Sequence, residues 1–373
     1  MKLTELDKKI LFELDKDGRA GYSEIGRAIG TTAQVVKYHV ENLLLGGAIR
    51  NFWAFADYEK AGYPFFWAYW LKFSGLTKED EENIFAYFAQ NQNMPIVLRC
   101  RGYADAMICI TTKDVFEHNA VLKKFLAKFG KKIAMMEMAV GMGFESFPRT
   151  YLVGKNNEYK ITNFSGSSRG LAKLSENERK MLSILQVDGR MEWIRVAEIL
   201  DLSVSSVHAM FERLNKKQVI TKTAMTLNHA EIGIRAYRVL FKLLQYDEDK
   251  LKLLYDFCVK HSNIRNYIPV MGNWQLMLDI ETESDEQIHD ILREMRYQFK
   301  EVVFEVEIAE VQKIEKFSQM AVEYPELLES KKEKVVDRKK VREEKGTVIN
   351  NESGSDGDNT KEDEEREDEK VWF

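Results

Sequence analysis

Apolar side chains recur at helical spacing from the first residues, at Leu3, Leu6, Ile10 and Leu14, which predicts a helix with one buried face. The helix closes at Asp17-Gly18-Arg19, where Gly18 is expected to supply a left-handed stop. A short helix comes next, with Ser23 as its expected N-cap and Ile25, Ala28 and Ile29 as its apolar face. Gly30 then makes a turn. Thr32 opens a longer helix whose buried stripe is Val36, Val40 and Leu43, and Gly46-Gly47 ends it. Residues 48–57, AIRNFWAFAD, read as a pair of short strands.

The whole pattern returns 171 residues later. Between 3–63 and 174–234, thirteen of 61 positions are identical without a gap, among them Asp188-Gly189-Arg190. Chance gives roughly one match in twenty, so the chain carries an internal duplication. In the second copy Asp201 replaces Gly30 and Ser203 replaces Thr32. The expected stripe is Val207, Phe211 and Leu214, and VITKTAMTLN at 219–228 reads as the second strand pair. Arg19 and Arg190 are expected to brace the exit of the first helix by pairing with a carboxylate. Three helices and then a β-hairpin make a winged helix-turn-helix, whose third helix fits a DNA major groove.

The segment after each unit repeats as well, at an offset of 170 that aligns Gly102 with Gly272. After the first unit the order is strand 65–73, helix 77–91, strands 94–101 and 104–111, helix 113–129 and strand 132–140. After the second it is strand 236–244, helix 247–262, strands 264–271 and 274–282, helix 284–299 and strand 301–312. This β-α-β-β-α-β order is the ferredoxin-like arrangement. The fold expected is therefore α+β: winged helix-turn-helix domains at 1–63 and 174–234, and ferredoxin-like sensor modules at 64–145 and 235–312. A linker is expected at 146–173, a charged helical extension at 313–345 and a disordered acidic tail at 346–373.

Charge sharpens this division. The net charge is −5, yet residues 351–373 carry ten acidic and three basic side chains, and residues 329–345 carry eight basic and five acidic. The body is almost neutral, so any nucleic-acid site must be a local patch. The closing KVWF is an apolar tip on an acidic tether, a shape suited to docking on another protein. Cys100, Cys109 and Cys258 are scattered without a C-x-x-C pair, which points to the reducing cytoplasm. No run of 18 apolar residues predicts a membrane span. The six histidines lack metal-ligand spacing, and no cofactor is expected.

The two helix-turn-helix stretches, with their Leu-rich opening, D-x-R turn, Ser/Thr-capped third helix and terminal Leu, resemble the Lrp/AsnC (leucine-responsive, feast/famine) regulators of bacteria and archaea. The resemblance covers nearly all of 3–312. It implies a transcriptional regulator that binds double-stranded DNA. Family members pair through their sensor modules, so here the duplication implies an intramolecular pseudo-dimer, with further homo-oligomers open and with a preference for unlike half-sites. The implied DNA-contacting residues are Arg27, Thr31, Thr32, Gln34, Lys37, Tyr38 and Arg50 in the first copy, with Ser205, Ser206, His208, Arg213, Lys216, Lys217 and Lys222 in the second. An arginine pair common in the family's recognition helix is replaced by Tyr38-His39 and Ala209-Met210, which leaves few positive charges for phosphates. The family's small-molecule site, typically for an amino acid, lies at a glycine turn matched here by Gly102 and Asp105 and by Gly272 and Asn273. The plainer reading of those turns is a tight hairpin that needs Gly. Two other functions stay open: a winged-helix regulator acting through protein contacts, and a siroheme decarboxylase, an enzyme class similar to this family that needs clustered His and Arg.

Overall fold

The computed structural model describes residues 1–154, 162–165, 170–244, 247–318 and 320–324. The first unit comprises α1 (Glu5–Lys16), α2 (Tyr22–Ile29), α3 (Ala33–Leu45) and β1 (Ile49–Ala56). The first module is β2 (Phe65–Phe73), α4 (Lys78–Gln90), β3 (Ile96–Gly102), β4 (Ala106–Thr112), α5 (Val115–Phe129) and β5 (Ile133–Gly141). Short strands β6 (Gly143–Ser146) and β7 (Thr162–Ser165) come next. The second unit is α6 (Glu176–Val187), α7 (Trp193–Leu200), α8 (Val204–Lys216) and β8 (Ile220–Leu227). The second module is β9 (Arg235–Leu243), α9 (Glu248–Lys260), β10 (Ile264–Gly272), β11 (Leu276–Thr282), α10 (Asp285–Gln298) and β12 (Val303–Phe317).

The expected wing hairpins do not form within a unit. Each unit contributes one strand, and β1 and β8 pair with each other antiparallel. Eight apolar-rich residues cannot leave their backbone unpaired when buried, and the nearest free edge belongs to the other copy. The register sets Trp53 opposite Ala224, which are equivalent positions of the repeat. The pseudo-two-fold axis therefore passes through this pair, a large ring facing a methyl group. The Trp53 ring fills the axis, stacking on Phe55 and Phe317 at 5.4 Å each and donating its indole N–H to Thr226 Oγ1 at 3.1 Å.

The modules join in the same reciprocal way. Each has the strand order 4-1-3-2, β5-β2-β4-β3 in the first and β12-β9-β11-β10 in the second. The fourth strand of each pairs with the second strand of the other, β12 with β3 and β5 with β10. Eight strands thus close into a ring. Helices α4 and α5 cover the outer face of the first module over a core of Tyr69, Leu71, Phe85, Phe88, Ile108 and Phe125. Helices α9 and α10 cover the second over Val239, Phe241, Leu254, Leu278, Ile291 and Met295. The inner faces meet. There Arg238 and Asp279, ion-paired at 2.8 Å, occupy the positions that the first copy fills with Ala68 and Cys109.

The segments after the modules correct two expectations. Residues 143–146 continue the line of β5 onto β10, and 313–317 continue β12 along β3. Residues 313–317 are therefore strand rather than the start of a helix, because each final strand must reach past its own module to complete the neighbour's edge. The rest of the expected extension beyond 324, and the whole acidic tail, lie outside the described residues. The expected linker is not a free spacer at its start. Leu152, with Tyr151 and Val153 beside it, packs into the core of the first helix-turn-helix unit.

Candidate nucleic-acid interface

Each helix-turn-helix is set by local chemistry. Thr4 and Ser175 form capping boxes with Asp7 and Glu178, fixing the starts of α1 and α6. Gly30 (φ 76°) and Asp201 (φ 53°) make the left-handed turns before the third helices. Thr32 Oγ1 accepts from Val35 N–H at 3.3 Å and Ser203 Oγ accepts from Ser206 N–H at 3.2 Å, capping α3 and α8 as expected. Helix α2 instead starts at Tyr22 behind Gly21, with no side-chain cap, so Ser23 lies inside it. In α8 the buried stripe runs through Val207, Met210 and Leu214. Phe211 turns aside to stack near Trp193, 4.7 Å between ring centroids.

The outer face of α3 presents Gln34, Lys37 and Tyr38, the last 63% exposed, with Thr32 at its N-terminus and Thr31 half-buried before it. Lys37 lies 3.9 Å from Glu41. His39 is drawn inward to Asp7 at 2.7 Å and ties α3 to α1. The α8 face presents Ser205, Ser206 and His208. The hydroxyls of Ser205 and Ser206 lie 2.9 and 2.8 Å from Ser203 Oγ. Arg27, Arg50 and Lys216 are exposed. Arg213 and Lys217 are exposed too, but turn toward Glu178 at 3.6 and 3.1 Å. Lys222 departs from expectation. It points inward, donates to Asp15 O at 3.2 Å and packs on the Phe55 ring, so it cannot reach a phosphate. Burial lowers its pKa to about 8, against the pull of Asp15.

The two units are locked by the D-G-R turns, which the sequence marked without revealing their use. Arg19 donates to the carbonyls of Gly189 and Met191, the second at 2.9 Å. Arg190 donates to the carbonyls of Gly18, at 2.6 Å, and Ala20. Each arginine therefore holds the other unit's turn through backbone oxygens rather than through a carboxylate. Arg19 also lies 3.7 Å over the Trp193 ring. Neither Gly18 nor Gly189 has a left-handed φ. Their N–H groups donate across the axis, to Thr223 O and Phe52 O at 2.7 Å each. A Cβ at Gly189 would stand 2.8 Å from Trp53 of the facing strand, and one at Gly18 would stand 2.8 Å from the Phe52 ring and 3.1 Å from Thr223 of the facing strand. The glycines serve close approach, not helix termination.

Close approach also explains the turns at Gly102 and Gly272. Their added Cβ atoms would meet Ile308 O at 2.7 Å and Met138 O at 2.6 Å, where one module's turn abuts the other's last strand. Asp105 is engaged by its own module, accepting from Phe73 N–H at the end of β2 at 2.8 Å, and Asn273 is exposed.

A buried ion cluster escaped the sequence reading altogether. Asp15 of α1 accepts from Arg149 and, at 2.8 Å, from Arg265, while Arg149 grips Glu281 in a two-point pair at 2.8 and 2.9 Å. Tyr151 at 2.6 Å and His229 at 2.9 Å complete the shell of Glu281. The available signal was charge inside apolar strands, Arg265 in IRNYIPV and Glu281 in LMLDIET.

Residues 3–44 match the model of the AsnC-type helix-turn-helix domain, and residues 174–221 match a winged helix-turn-helix DNA-binding model. An uncharacterised HTH-type transcriptional regulator of Pyrococcus horikoshii is 33% identical over 130 residues, 34% of this chain and 79% of that protein. Another from Pyrococcus furiosus is 48% identical over 61 residues, but these span only 41% of that protein and 16% of this chain. The crystal structure of the siroheme decarboxylase NirDL superposes with a TM-score of 0.55 at 13% identity, covering 90% of this chain and all of that one. At that identity the likeness is one of fold.

Proposed function

The chain belongs to the Lrp/AsnC family of helix-turn-helix transcriptional regulators, and we propose that it binds double-stranded DNA as an intramolecular pseudo-dimer that presents α3 and α8 to two unlike half-sites. The observation that carries this reading is the reciprocal lock of Arg19 and Arg190 around the β1–β8 ribbon, which fixes the two units about one axis. Operators read by such proteins mirror the protein's two-fold arrangement. Gln34 and Tyr38 would read one half-site, and Ser205, Ser206 and His208 the other. Lys37, Arg27, Arg50 and Lys216 would hold phosphates, joined by Arg213 and Lys217 once they leave Glu178. A cytoplasmic location accords with this reading. Among the described residues no helix is long and apolar enough to cross a membrane.

Binding to fragments of the chain's own upstream region, measured by fluorescence anisotropy against salt, tests the proposal. Lys37→Ala with Lys216→Ala should weaken binding evenly across sequences and flatten the salt dependence by about two phosphate contacts. Gln34→Ala and His208→Ala should each relax preference in a different half-site. Absence of binding at low salt overturns the reading and leaves the regulator acting through protein contacts.

We read the chain as a regulator rather than a decarboxylase. The hollow beneath the ribbon, about 90 Å³, holds one histidine, His229, and the hollow of about 490 Å³ beside Arg19 holds one, His208, short of the clustered histidines and arginines that the enzyme class needs. A siroheme titration monitored by absorbance should leave the spectrum of the free tetrapyrrole unchanged; a stoichiometric shift overturns this.

The turns at Gly102 and Asp105 and at Gly272 and Asn273 are assigned to the seams between modules. An effector, if the chain takes one, is sought elsewhere.

A further inference from the structure

A half-open hollow of about 90 Å³ lies between the β1–β8 ribbon and the inner face of the strand ring. Its walls are unequal. One side is apolar, with Trp53, Phe55, Ile314 and Phe317; the other carries Arg149, Arg238, Arg265, Asp279 and Glu281. Hydrogen bonding on the charged side is nearly complete. Arg149 is saturated by Glu281 and Asp15, and Arg238 is paired with Asp279. Asp279 Oδ1, 2.8 Å from Arg238 Nε, lacks a hydrogen bond, and so does part of Arg265. Arg265 is 93% buried, its Nη2 donates to Asp15, and its Nε and Nη1 have no partner. An arginine N–H left unmatched in a buried place costs on the order of 1–3 kcal/mol. Three arginines against two carboxylates leave one positive charge in excess around the space. Adding Asp15 and Lys222 from the layer behind leaves the excess unchanged.

We propose that this cavity is a binding site for a small organic carboxylate, a monoanion whose head meets Arg265 and whose short apolar tail lies against Trp53 and Phe317. Charge sets the head group, since a carboxylate supplies the acceptors that the Nε and Nη1 donors of Arg265 lack and neutralises the excess. Volume sets the size. At roughly 10–15 Å³ of such space per water-sized group, the hollow takes about six to nine non-hydrogen atoms. The aromatic wall sets the tail, because water there would have too few polar neighbours.

The duplication adds an independent argument. The positions equivalent to Arg265, Glu281, Arg238 and Asp279 are Pro95, Thr111, Ala68 and Cys109, and Gln186 stands in place of Asp15. The charged pocket is built once in a molecule whose scaffold is built twice. The site is also placed to matter, since its roof is the ribbon that joins the helix-turn-helix units to the modules.

Thermal unfolding of the full chain in sodium propionate and in sodium lactate, against sodium chloride of equal ionic strength, tests the site. At about 10 mM, propionate or lactate should raise Tm by about 2 °C or more beyond chloride, with a logarithmic dependence on concentration above saturation. Arg265→Met should abolish the shift. Because that change also removes a partner of Asp15, Ala236→Leu serves as the second variant. It fills the cavity from β9 without touching a charge, and should also abolish the shift. An equal response to chloride, no response to either carboxylate, or a shift that survives Ala236→Leu overturns the proposal. The outcome is separable from DNA binding. A chain that takes propionate but no DNA keeps this site and loses the regulator reading; one that binds DNA and ignores both carboxylates loses only this site.

Discussion

Replacing Gly189 by alanine tests why the D-G-R turns carry glycine. If the residue served as a left-handed helix stop, alanine would cost about 1 kcal/mol at Gly18 and Gly189 alike. The geometry predicts unequal costs. At Gly189 the new Cβ would stand 2.8 Å from the Trp53 backbone atoms C and Cα and from Thr223 Cγ2. Ordinary contact begins near 3.4 Å, so β1 would have to retreat by about 0.6 Å. That strand is held by its ladder with β8 and by the Gly189 N–H bond to Phe52 O at 2.7 Å, so the retreat strains both. Overpacking of this kind costs about 1–3 kcal/mol. At Gly18 the nearest obstruction is Phe52 Cδ1, a ring edge, with Thr223 Cγ2 and O at 3.1 Å. A ring can tilt where a backbone cannot. Part of that smaller cost is offset by the roughly 0.4–1 kcal/mol that alanine gains by restricting the unfolded chain. Urea denaturation of the two variants should therefore place Gly189→Ala at least about 1 kcal/mol below Gly18→Ala with unchanged slope. Equal losses would restore the helix-stop reading, and a neutral Gly189→Ala would refute the close-approach account.

The same interface and the buried cluster yield further expected outcomes. Arg19→Met and Arg190→Met should each cost about 2–3 kcal/mol, since each removes two bonds from a charged donor to the other unit. Burial and mutual repulsion lower the pKa of Arg19 to about 10, so removing one arginine relieves the other; the double variant should lose less than the sum, and additivity within about 0.5 kcal/mol would refute the coupling. Acid should erode the stability that the ion cluster contributes. Burial alone would raise the carboxyls of Asp15 and Glu281, but the facing cations, Arg265 and Arg149 for Asp15 and Arg149 and His229 for Glu281, hold both below the usual carboxylate range. The unfolded chain then binds more protons than the folded one, so their contribution is present above about pH 4.5 and falls as pH drops toward the folded values. Stability measured from pH 6 downward should fall less steeply in Glu281→Gln than in the natural chain, once its lower starting stability is allowed for.

Much of this fold was legible because helical and strand periodicities are local. The helix-turn-helix order, both βαββαβ modules and the caps at Thr32 and Ser203 rest on spacing and on side chains that act within one turn. The larger misreadings share a different cause. The wing strands, the role of Gly18, the reach of 313–317 and the inward turn of Lys222 are all decided by the other copy, and a pattern read along one copy does not show what faces it. The candidate DNA surface lies between these cases. Exposure of Gln34, Lys37, Tyr38 and His208 came from helix phase, whereas the diversion of Arg213 and Lys217 to Glu178 depended on packing between α6 and α8. The charged pocket was least legible, because its members come from the segment after β6 and from β9, β10 and β11, with Asp15 of α1 behind them.

Trp53 facing Ala224 gives the duplication a history that cannot be run backwards. Two-fold association of identical chains demands a surface that complements itself. The first half alone would bring indole against indole on the axis, and the second half alone would leave a hollow there. The halves now complement each other there better than they complement themselves, so a chain cut between them is expected to reassemble from both pieces in preference to two copies of either.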